Sequence, residues 1–162
     1  MTQTLHPPRG INVFNAIAKP LLAAGVPMAF NGLLTVAGRK TGKPRTTALA
    51  IVDVDGRRWV WSPWGEVHWV RNLRAAGHAT VTFRRREEEV RAVELDPEQR
   101  VAFFRDTLTP IARGIRGGMW FIRAFDGVDL SDPVEAAEGR PAFELHSMAD
   151  PTDVSGARSS RS

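Results

Sequence analysis

The pair Asp55–Gly56 restricts the fold most, because it is a hairpin-turn signal that lies between two runs rich in β-branched and aromatic residues. The runs Thr46–Val54 and Arg58–Ser62 are therefore predicted to be neighbouring antiparallel strands. A third run of the same kind, Leu33–Ala37, precedes them. The first half of the chain is thus expected to contain an antiparallel sheet.

A short helix and a second hairpin follow in the sequence. The apolar spacing predicts a helix over Val67–Ala76, ended by Gly77 in the position where left-handed caps prefer glycine. The runs Thr80–Arg84 and Val90–Leu95 predict the hairpin. Between these strands, the charged run Arg84–Glu89 is interpreted as a solvated turn with cross-strand charge pairs.

The later segments add helices. Asp96 is predicted to cap a helix whose buried stripe consists of Val101, Phe104 and Leu108. The glycine-rich segment Ile111–Phe125 is expected to be mobile and partly apolar.

The two ends complete the organisation. An N-terminal helix over Ile11–Ala24 and a last strand over Ala142–His146 are predicted. Residues 1–146 are expected to form one domain and residues 147–162 a disordered tail. Short antiparallel connections indicate an α+β fold, a β-barrel with helices packed outside, rather than a doubly wound parallel sheet.

Composition excludes several kinds of site. The 162 residues include no Cys and only 4 His, which have no two-ligand helical spacing, so disulfides, a thiol nucleophile and a metal centre are not expected. The net charge of +4 is small and comes largely from one turn and from Arg158 and Arg161. A local cluster suits a small anion better than a nucleic acid, so no nucleic-acid partner is expected.

No targeting signal is evident, and a cytoplasmic location is the default expectation. The uncharged stretch from Pro20 to Gly38 contains Gly25 and Pro27, which break a spanning helix, although a peripheral membrane contact stays open. Both a monomer and a dimer are compatible with the sequence.

The segment from Gly38 to Arg45 is a glycine-bounded turn with four cations and one hydroxyl. Its spacing does not fit a Walker loop, and Pro44 leads into a strand instead of a helix. Backbone N–H groups and guanidinium forks in such a turn can bind an anion, while the alternative is an exposed basic hairpin turn. These polar side chains are Arg39, Lys40, Thr41, Lys43 and Arg45.

Two further segments carry candidate functional groups. The tryptophan-rich run from Trp59 to Gly65 indicates either an aromatic pocket for a planar ring, with Ser62 at its edge, or a tryptophan-rich core. On the predicted helix, His68, Arg71 and Asn72 share a polar side. His68 beside Arg71 could relay a proton, or could simply be solvated. Asn72 could serve only to cap or bridge backbone groups.

Three motifs in this order resemble the deazaflavin-dependent nitroreductase family over roughly residues 11 to 105. They are Gly38-Arg39-Lys40-Thr41-Gly42-x-Pro44-Arg45, Ser62-Pro63-x-Gly65 and Trp69-Val70-Arg71-Asn72-Leu73-Arg74-Ala75-Ala76-Gly77. The resemblance implies a split β-barrel that binds the deazaflavin coenzyme F420. It also implies hydride transfer from the reduced coenzyme to quinones, nitro compounds or other electron-poor small molecules.

The resemblance also assigns residues. It implies that the cations and hydroxyl of the basic turn bind the coenzyme's phosphate and acidic tail. Ser62 and His68 are candidate proton donors, and no metal takes part. The positions implied around the ring and its surroundings are Ser62, Pro63, Trp64, Gly65, Trp69, Arg71 and Asn72.

Other readings stay open beside this one. The family's best-known branch has tyrosines in its substrate pocket and this chain has no Tyr, so that branch's substrate is not carried over. An FMN enzyme of similar barrel shape would place the same cations on a phosphate. A non-catalytic lipid or small-ligand carrier is the other alternative.

Overall fold

The described residues of the computed structural model are 32–114, 116 and 118–149, and they form one seven-stranded sheet. Its order is β2-β1-β5-β6-β7-β4-β3, and every neighbouring pair is antiparallel. The strands are β1 Gly32–Ala37, β2 Pro44–Leu49, β3 Ile51–Val54, β4 Arg57–Trp61, β5 His78–Phe83, β6 Arg86–Glu94 and β7 Ala142–Ser147.

The sheet curls into a split barrel. Its two edge strands, β2 and β3, are separated along the chain by Ala50 alone, so the two edges must approach each other at this residue. The predicted single strand Thr46–Val54 is therefore two strands that bend from one edge of the sheet to the other. The predicted antiparallel barrel with helices is confirmed.

Both predicted hairpins are present. Asp55 and Gly56 have φ values of 52° and 82°, as a two-residue turn requires, and Val54 pairs with Arg57 across it. The β5–β6 turn uses Arg84 and Arg85, with φ values of 49° and 63°.

The acidic half of the charged run belongs to β6 rather than to the turn. Its residues face Thr80, Val81 and Thr82 across the β5–β6 ladder, so the expected charge pairs between these two strands are not formed. Glu88 instead binds Arg58 of β4 at 2.7 Å. Curvature of the sheet brings these charges together, which strand order alone does not indicate.

Helical segments lie on both faces of the sheet. They are α1 His68–Ala76, α2 Pro97–Ala102, a π-helix Phe103–Leu108, α3 Thr109–Gly114, α4 Gly118–Phe121, a second π-helix Ile122–Asp126 and α5 Pro133–Ala137. Helix α5 was not predicted from the sequence. Asp132 caps it by accepting hydrogen bonds from the N–H groups of Val134 and Glu135. No helix among the described residues is long and apolar enough to cross a membrane.

The core consists of two clusters on opposite faces of the sheet. The barrel cluster contains Leu34, Val36, Leu49, Ile51, Val60, Val70, Leu73, Ala79, Val81, Val90, Phe143 and Leu145. The helix-side cluster contains Val52, Trp59, Trp61, Leu95, Phe103, Phe104, Leu108, Ala112, Val128, Leu130, Ala136, Ala137 and Ala142. Alternation along β4 accounts for the division, because Val60 faces the barrel while Trp59 and Trp61 face the helices.

The predicted cap at Asp96 is confirmed, and a π-helix alters the stripe that follows. Asp96 and Gln99 form a capping box with bonds of 2.8 and 2.9 Å. The wider π-turn brings Phe103 beside Phe104 on the buried side, whereas the predicted Val101 is only half-buried.

The segment expected to be mobile forms helical turns in the structure. Ile111, Met119 and Ile122 pack against the helix-side cluster, while Trp120 is 69% exposed. The predicted N-terminal helix and most of the predicted tail lie outside the described residues. Strand β7 continues through Ser147.

Candidate active site

Helix α1 connects the predicted functional segments. It follows the turn after β4 and ends at Gly77, whose φ is 75° and whose N–H donates to Leu73 O at 2.8 Å. Val70 and Leu73 are wholly buried in the barrel cluster, and the Trp69 ring lies 6.2 Å from that of Phe143. The predicted apolar side therefore attaches α1 to the sheet.

The basic turn, residues 38–43, joins β1 to β2 and is closed by its own backbone. Gly38 N–H donates to Lys43 O at 2.8 Å, and Gly42 N–H donates to Gly38 O at 2.7 Å. A Cβ at position 38 would lie 3.1 Å from Thr41 Oγ1, and Gly42 has a φ of 69°. Both glycines are thus required by the compact shape of the turn.

Asn72 holds the basic turn against α1. Its Oδ1 accepts the backbone N–H of Arg39 at 3.2 Å and the Arg39 Nη1 donor at 2.9 Å. Asn72 is only 6% exposed, so its predicted position on an open polar side was wrong. The turn covers it, and helical periodicity carries no information about that contact.

The remaining cations near α1 are exposed and available to a ligand. Among the described residues, none of Lys40, Lys43, Arg45 and Arg71 has an ion-pair partner. Thr41 Oγ1 accepts the N–H of Lys43 at 3.3 Å within the turn. The predicted cluster of cations is therefore present, with Arg39 partly engaged by Asn72.

A second turn, Ser62–Gly65, leads from β4 to α1. Ser62 is 0% exposed, its N–H donates to Pro141 O at 2.9 Å, and its Oγ has no hydrogen-bond partner among the described groups. Pro63 and Trp64 are half-buried. Gly65 has a φ of 75° and accepts the N–H of Val67 at 3.0 Å.

The loop before β7 packs against this second turn. This contact was not predicted from the sequence. Arg140 Nε donates to Pro63 O at 3.1 Å, and a Cβ on Gly65 would lie 3.2 Å from Gly139 O. An arginine between Gly139 and Pro141 matches no motif, and the contact spans 77 positions of sequence. Only the fold reveals it.

Burial perturbs two charges beside this contact. Desolvation raises the pKa of Asp126 to about 6, although the positive charge of Arg140 opposes the shift. Desolvation likewise lowers the pKa of Arg140, while Glu135 and Asp126 act in the opposite direction.

Two of the predicted tryptophans belong to the core, whereas Trp64, Trp69 and His68 lie near the Ser62–Gly65 turn and α1. Trp59 and Trp61 pack on Phe103 and Phe104 at ring distances of 5.6 and 5.2 Å, so both belong to the core. Trp64 and Trp69 are half-buried next to the turn and α1. His68 is exposed at the start of α1 and forms no hydrogen bond with Arg71 in the described structure.

Solved structures share the fold at low sequence identity. A candidate 5-nitroimidazole antibiotic resistance protein from Bacteroides thetaiotaomicron is 14% identical, with 80% of each chain covered and a TM-score of 0.51. An F420-H2 dependent reductase is 18% identical over 71% of this chain and 92% of its own, with a TM-score of 0.48. A structure described as a domain-swapped dimer is 18% identical over 84% of this chain and 98% of its own, also with a TM-score of 0.48.

The sequence itself matches a family. No protein of curated function matches it. The sequence model described as F420H(2)-dependent quinone reductase matches residues 17–113, which contain the basic turn, the Ser62–Gly65 turn and α1. Since this match spans more than half of the chain, the chain belongs to the F420H2-dependent quinone reductase family and is an F420-dependent reductase.

Proposed function

We propose that the basic turn binds the anionic part of coenzyme F420, that the Ser62–Gly65 turn lies along its ring, and that the acceptor is a quinone. The observation that carries this proposal is the set of exposed cations that have no acidic partner among the described residues, on and beside a turn that the Asn72–Arg39 contact fixes against α1. His68 and Asn72 are four residues apart, which is about 6 Å along a helix. The Ser62–Gly65 turn leads into the start of α1, and Asn72 of the same helix binds Arg39 of the basic turn. Helix α1 therefore keeps the two turns close together.

The residues fit the chemistry of this coenzyme. F420 carries a phosphodiester and an acidic glutamate tail, so Lys40, Lys43 and Arg45 would each gain a charge-assisted partner worth about 1.5–3 kcal/mol. Arg39 and Thr41 would complete the anion site from the same turn. The buried Ser62 Oγ has no hydrogen-bond partner among the described groups, so it could bond a ligand group only if the turn moved.

The protein's own contribution would be mainly positioning. The bound reduced coenzyme supplies a hydride, so no protein nucleophile is needed. Pro63, Trp64 and Trp69 would form the walls that orient the ring and exclude water, with Gly65 giving close backbone approach. Arg71 would add positive charge on the exposed side of α1.

Reduction of a quinone also consumes a proton. The imidazole of His68 is exposed and can exchange its proton with solvent, whereas Ser62 Oγ is wholly buried and could donate only if the turn moved. We therefore rank His68 above Ser62 as the proton donor. Quinone is preferred as acceptor because the family's description names it.

Titration with F420 and with FMN, followed by calorimetry, tests the choice of coenzyme. Tighter binding of F420 is expected, and tighter binding of FMN would contradict the proposal. Arg45→Ala should weaken F420 binding by about ten- to a hundredfold, from the loss of about 1.5–3 kcal/mol. Arg113→Ala, a change at an exposed arginine of α3, is the matched control and should leave the affinity unchanged.

Stopped-flow oxidation of the reduced coenzyme with a panel of quinones tests the reaction. The enzyme should accelerate oxidation, and chelators should have no effect. Coenzyme binding without reduction of any acceptor would favour the carrier alternative.

A further inference from the structure

The loop 139–141 makes two hydrogen bonds with the Ser62–Gly65 turn and leaves no room for a side chain at Gly65. Pro141 O accepts the Ser62 N–H at 2.9 Å, Arg140 Nε donates to Pro63 O at 3.1 Å, and Gly139 O lies 3.2 Å from where a Cβ on Gly65 would stand. The first contact continues the β4–β7 ladder. The other two lie beyond it, so they determine how the turn leaves the sheet.

Arg140 is the part of this loop that a different side chain could not replace. Its Nη1 donates to Ala136 O at 3.1 Å and to Glu135 O at 3.3 Å, at the carboxyl end of α5. The guanidinium plane thus joins the last carbonyls of a helix to the carbonyl of Pro63. Helix C-terminal carbonyls favour a cation, and a planar fork keeps its direction better than a flexible ammonium group.

The ion pairs of the described residues do not include Arg140. Arg57, Arg58, Arg74, Arg105 and Arg123 bind carboxylates, whereas the half-buried Arg140 donates to three backbone carbonyls. A partly desolvated guanidinium with these three hydrogen bonds, and with Glu135 and Asp126 close enough to act on its charge, is well placed to fix a backbone.

We propose that Arg140 is a positioning residue for hydride transfer, because it fixes the Pro63 carbonyl and with it the Ser62–Gly65 turn. The proposal rests on the proposed function, in which this turn lies along the coenzyme ring. Arg140 acts through the turn and needs no contact with coenzyme or acceptor.

The expected consequence is selective. The anionic part of the coenzyme binds at the basic turn, which Asn72 fixes independently of Arg140. Loss of Arg140 should therefore change coenzyme affinity less than about threefold. A displacement of about 1 Å at reacting groups costs about a hundredfold in rate, so hydride transfer at saturating coenzyme should slow by about ten- to a hundredfold.

The experiment compares Arg140→Gln with a control, Arg57→Gln, which removes an exposed arginine of β4 that binds Glu144 at 2.9 Å. Coenzyme affinity, single-turnover hydride transfer to a quinone and melting temperature are measured for each. A slow Arg140→Gln enzyme with near-normal affinity, beside a normal control, is the expected result. An Arg140→Gln enzyme that transfers hydride at the wild-type rate overturns the proposal.

A readout without coenzyme separates positioning from a general loss of structure. Amide exchange at Ser62 and Val67 should accelerate at least tenfold in Arg140→Gln, while the buried barrel residue Val81 stays unchanged. Equal acceleration at all three overturns the proposal, since it would indicate destabilisation of the whole fold.

If Arg140→Gln does not fold, Arg140→Lys carries the same test. It keeps the charge beside α5, but its three donors lie on one nitrogen at the end of a flexible stem, whereas Arg140 reaches Pro63 O and the helix carbonyls from two nitrogens of a rigid plane. We expect it to transfer hydride more slowly than wild type, and a wild-type rate overturns the proposal. A wild-type protein that binds no F420 or reduces no acceptor would instead refute the proposed function.

Discussion

Replacing Asn72 by alanine tests whether the basic turn must be held against α1 for coenzyme binding. The change removes one acceptor atom, Oδ1, and with it bonds of 3.2 and 2.9 Å from Arg39. A neutral hydrogen bond contributes about 1 kcal/mol and a charged one about 1.5–3 kcal/mol. Since Arg39 is exposed, water replaces part of both, and about 2 kcal/mol is a reasonable total.

A loss of about 2 kcal/mol lowers the equilibrium constant between the ordered and the disordered turn by about thirtyfold. If only the ordered turn binds the coenzyme, the Kd of Asn72→Ala should rise by up to that factor. Fluorescence titration with F420 measures it. Thr80→Ala removes an exposed 2.8 Å hydrogen bond to Glu89, outside the site, and is the control.

A double-mutant cycle with Arg39→Ala makes the test specific. Arg39→Ala keeps the backbone bond to Asn72 and also removes a proposed coenzyme contact, so the two substitutions share only the Arg39 Nη1 bond and a coupling of about 1 kcal/mol is expected. Additive effects, or a wild-type Kd for Asn72→Ala, would refute the reasoning.

Salt should weaken coenzyme binding much more than it lowers the melting temperature, because the unpaired cations are exposed, and parallel titrations and melts check this. Trp64→Ala should slow hydride transfer more than Trp120→Ala in stopped-flow measurements, and equal losses would place the ring elsewhere. Burial raises the pKa of Asp126 from 3.8 to about 6, so the folded protein retains a proton that the unfolded chain has lost. The free energy of unfolding should therefore fall as the pH rises from about 4 to about 6, and Asp126→Asn should remove that slope in urea titrations. Phe104→Ala should lower the free energy of unfolding by about 3–5 kcal/mol, measured by urea denaturation, because this ring is fully buried.

The sequence predicts the elements whose chemistry is local. The Asp55–Gly56 turn, the glycine cap at Gly77 and the cap at Asp96 each depend on residues a few positions apart, and all three are present. Alternation in β4 likewise predicts that Trp59 and Trp61 share a face. It cannot say which face lies against other elements, so the choice between pocket and core needed the structure.

The features that could not be predicted from the sequence depend on contacts between distant segments. The burial of Asn72 depends on its contact with Arg39, 33 positions earlier, and the contact at Pro63 depends on Arg140, 77 positions later. The π-helix that buries Phe103 is stabilised by packing against Trp59, from a strand far back in the chain. No periodicity encodes these three relations.

The pattern of ion pairs supports the proposed ligand site at the basic turn. Arg57 and Arg58 of β4, Arg74 of α1 and Arg105 of the first π-helix have carboxylate partners. Residues 38–45 contain Arg39, Lys40, Lys43 and Arg45 but no acidic residue, and none of them has an ion pair among the described residues. Like charges crowded into a turn that its own hydrogen bonds hold closed repel one another, and binding of an anion would relieve this repulsion. The β5–β6 turn also collects cations, but there Arg84, Arg85 and Arg86 are followed directly by Glu87, Glu88 and Glu89, so the lack of any acidic residue in 38–45 is what favours the proposed anion site over a solvated hairpin.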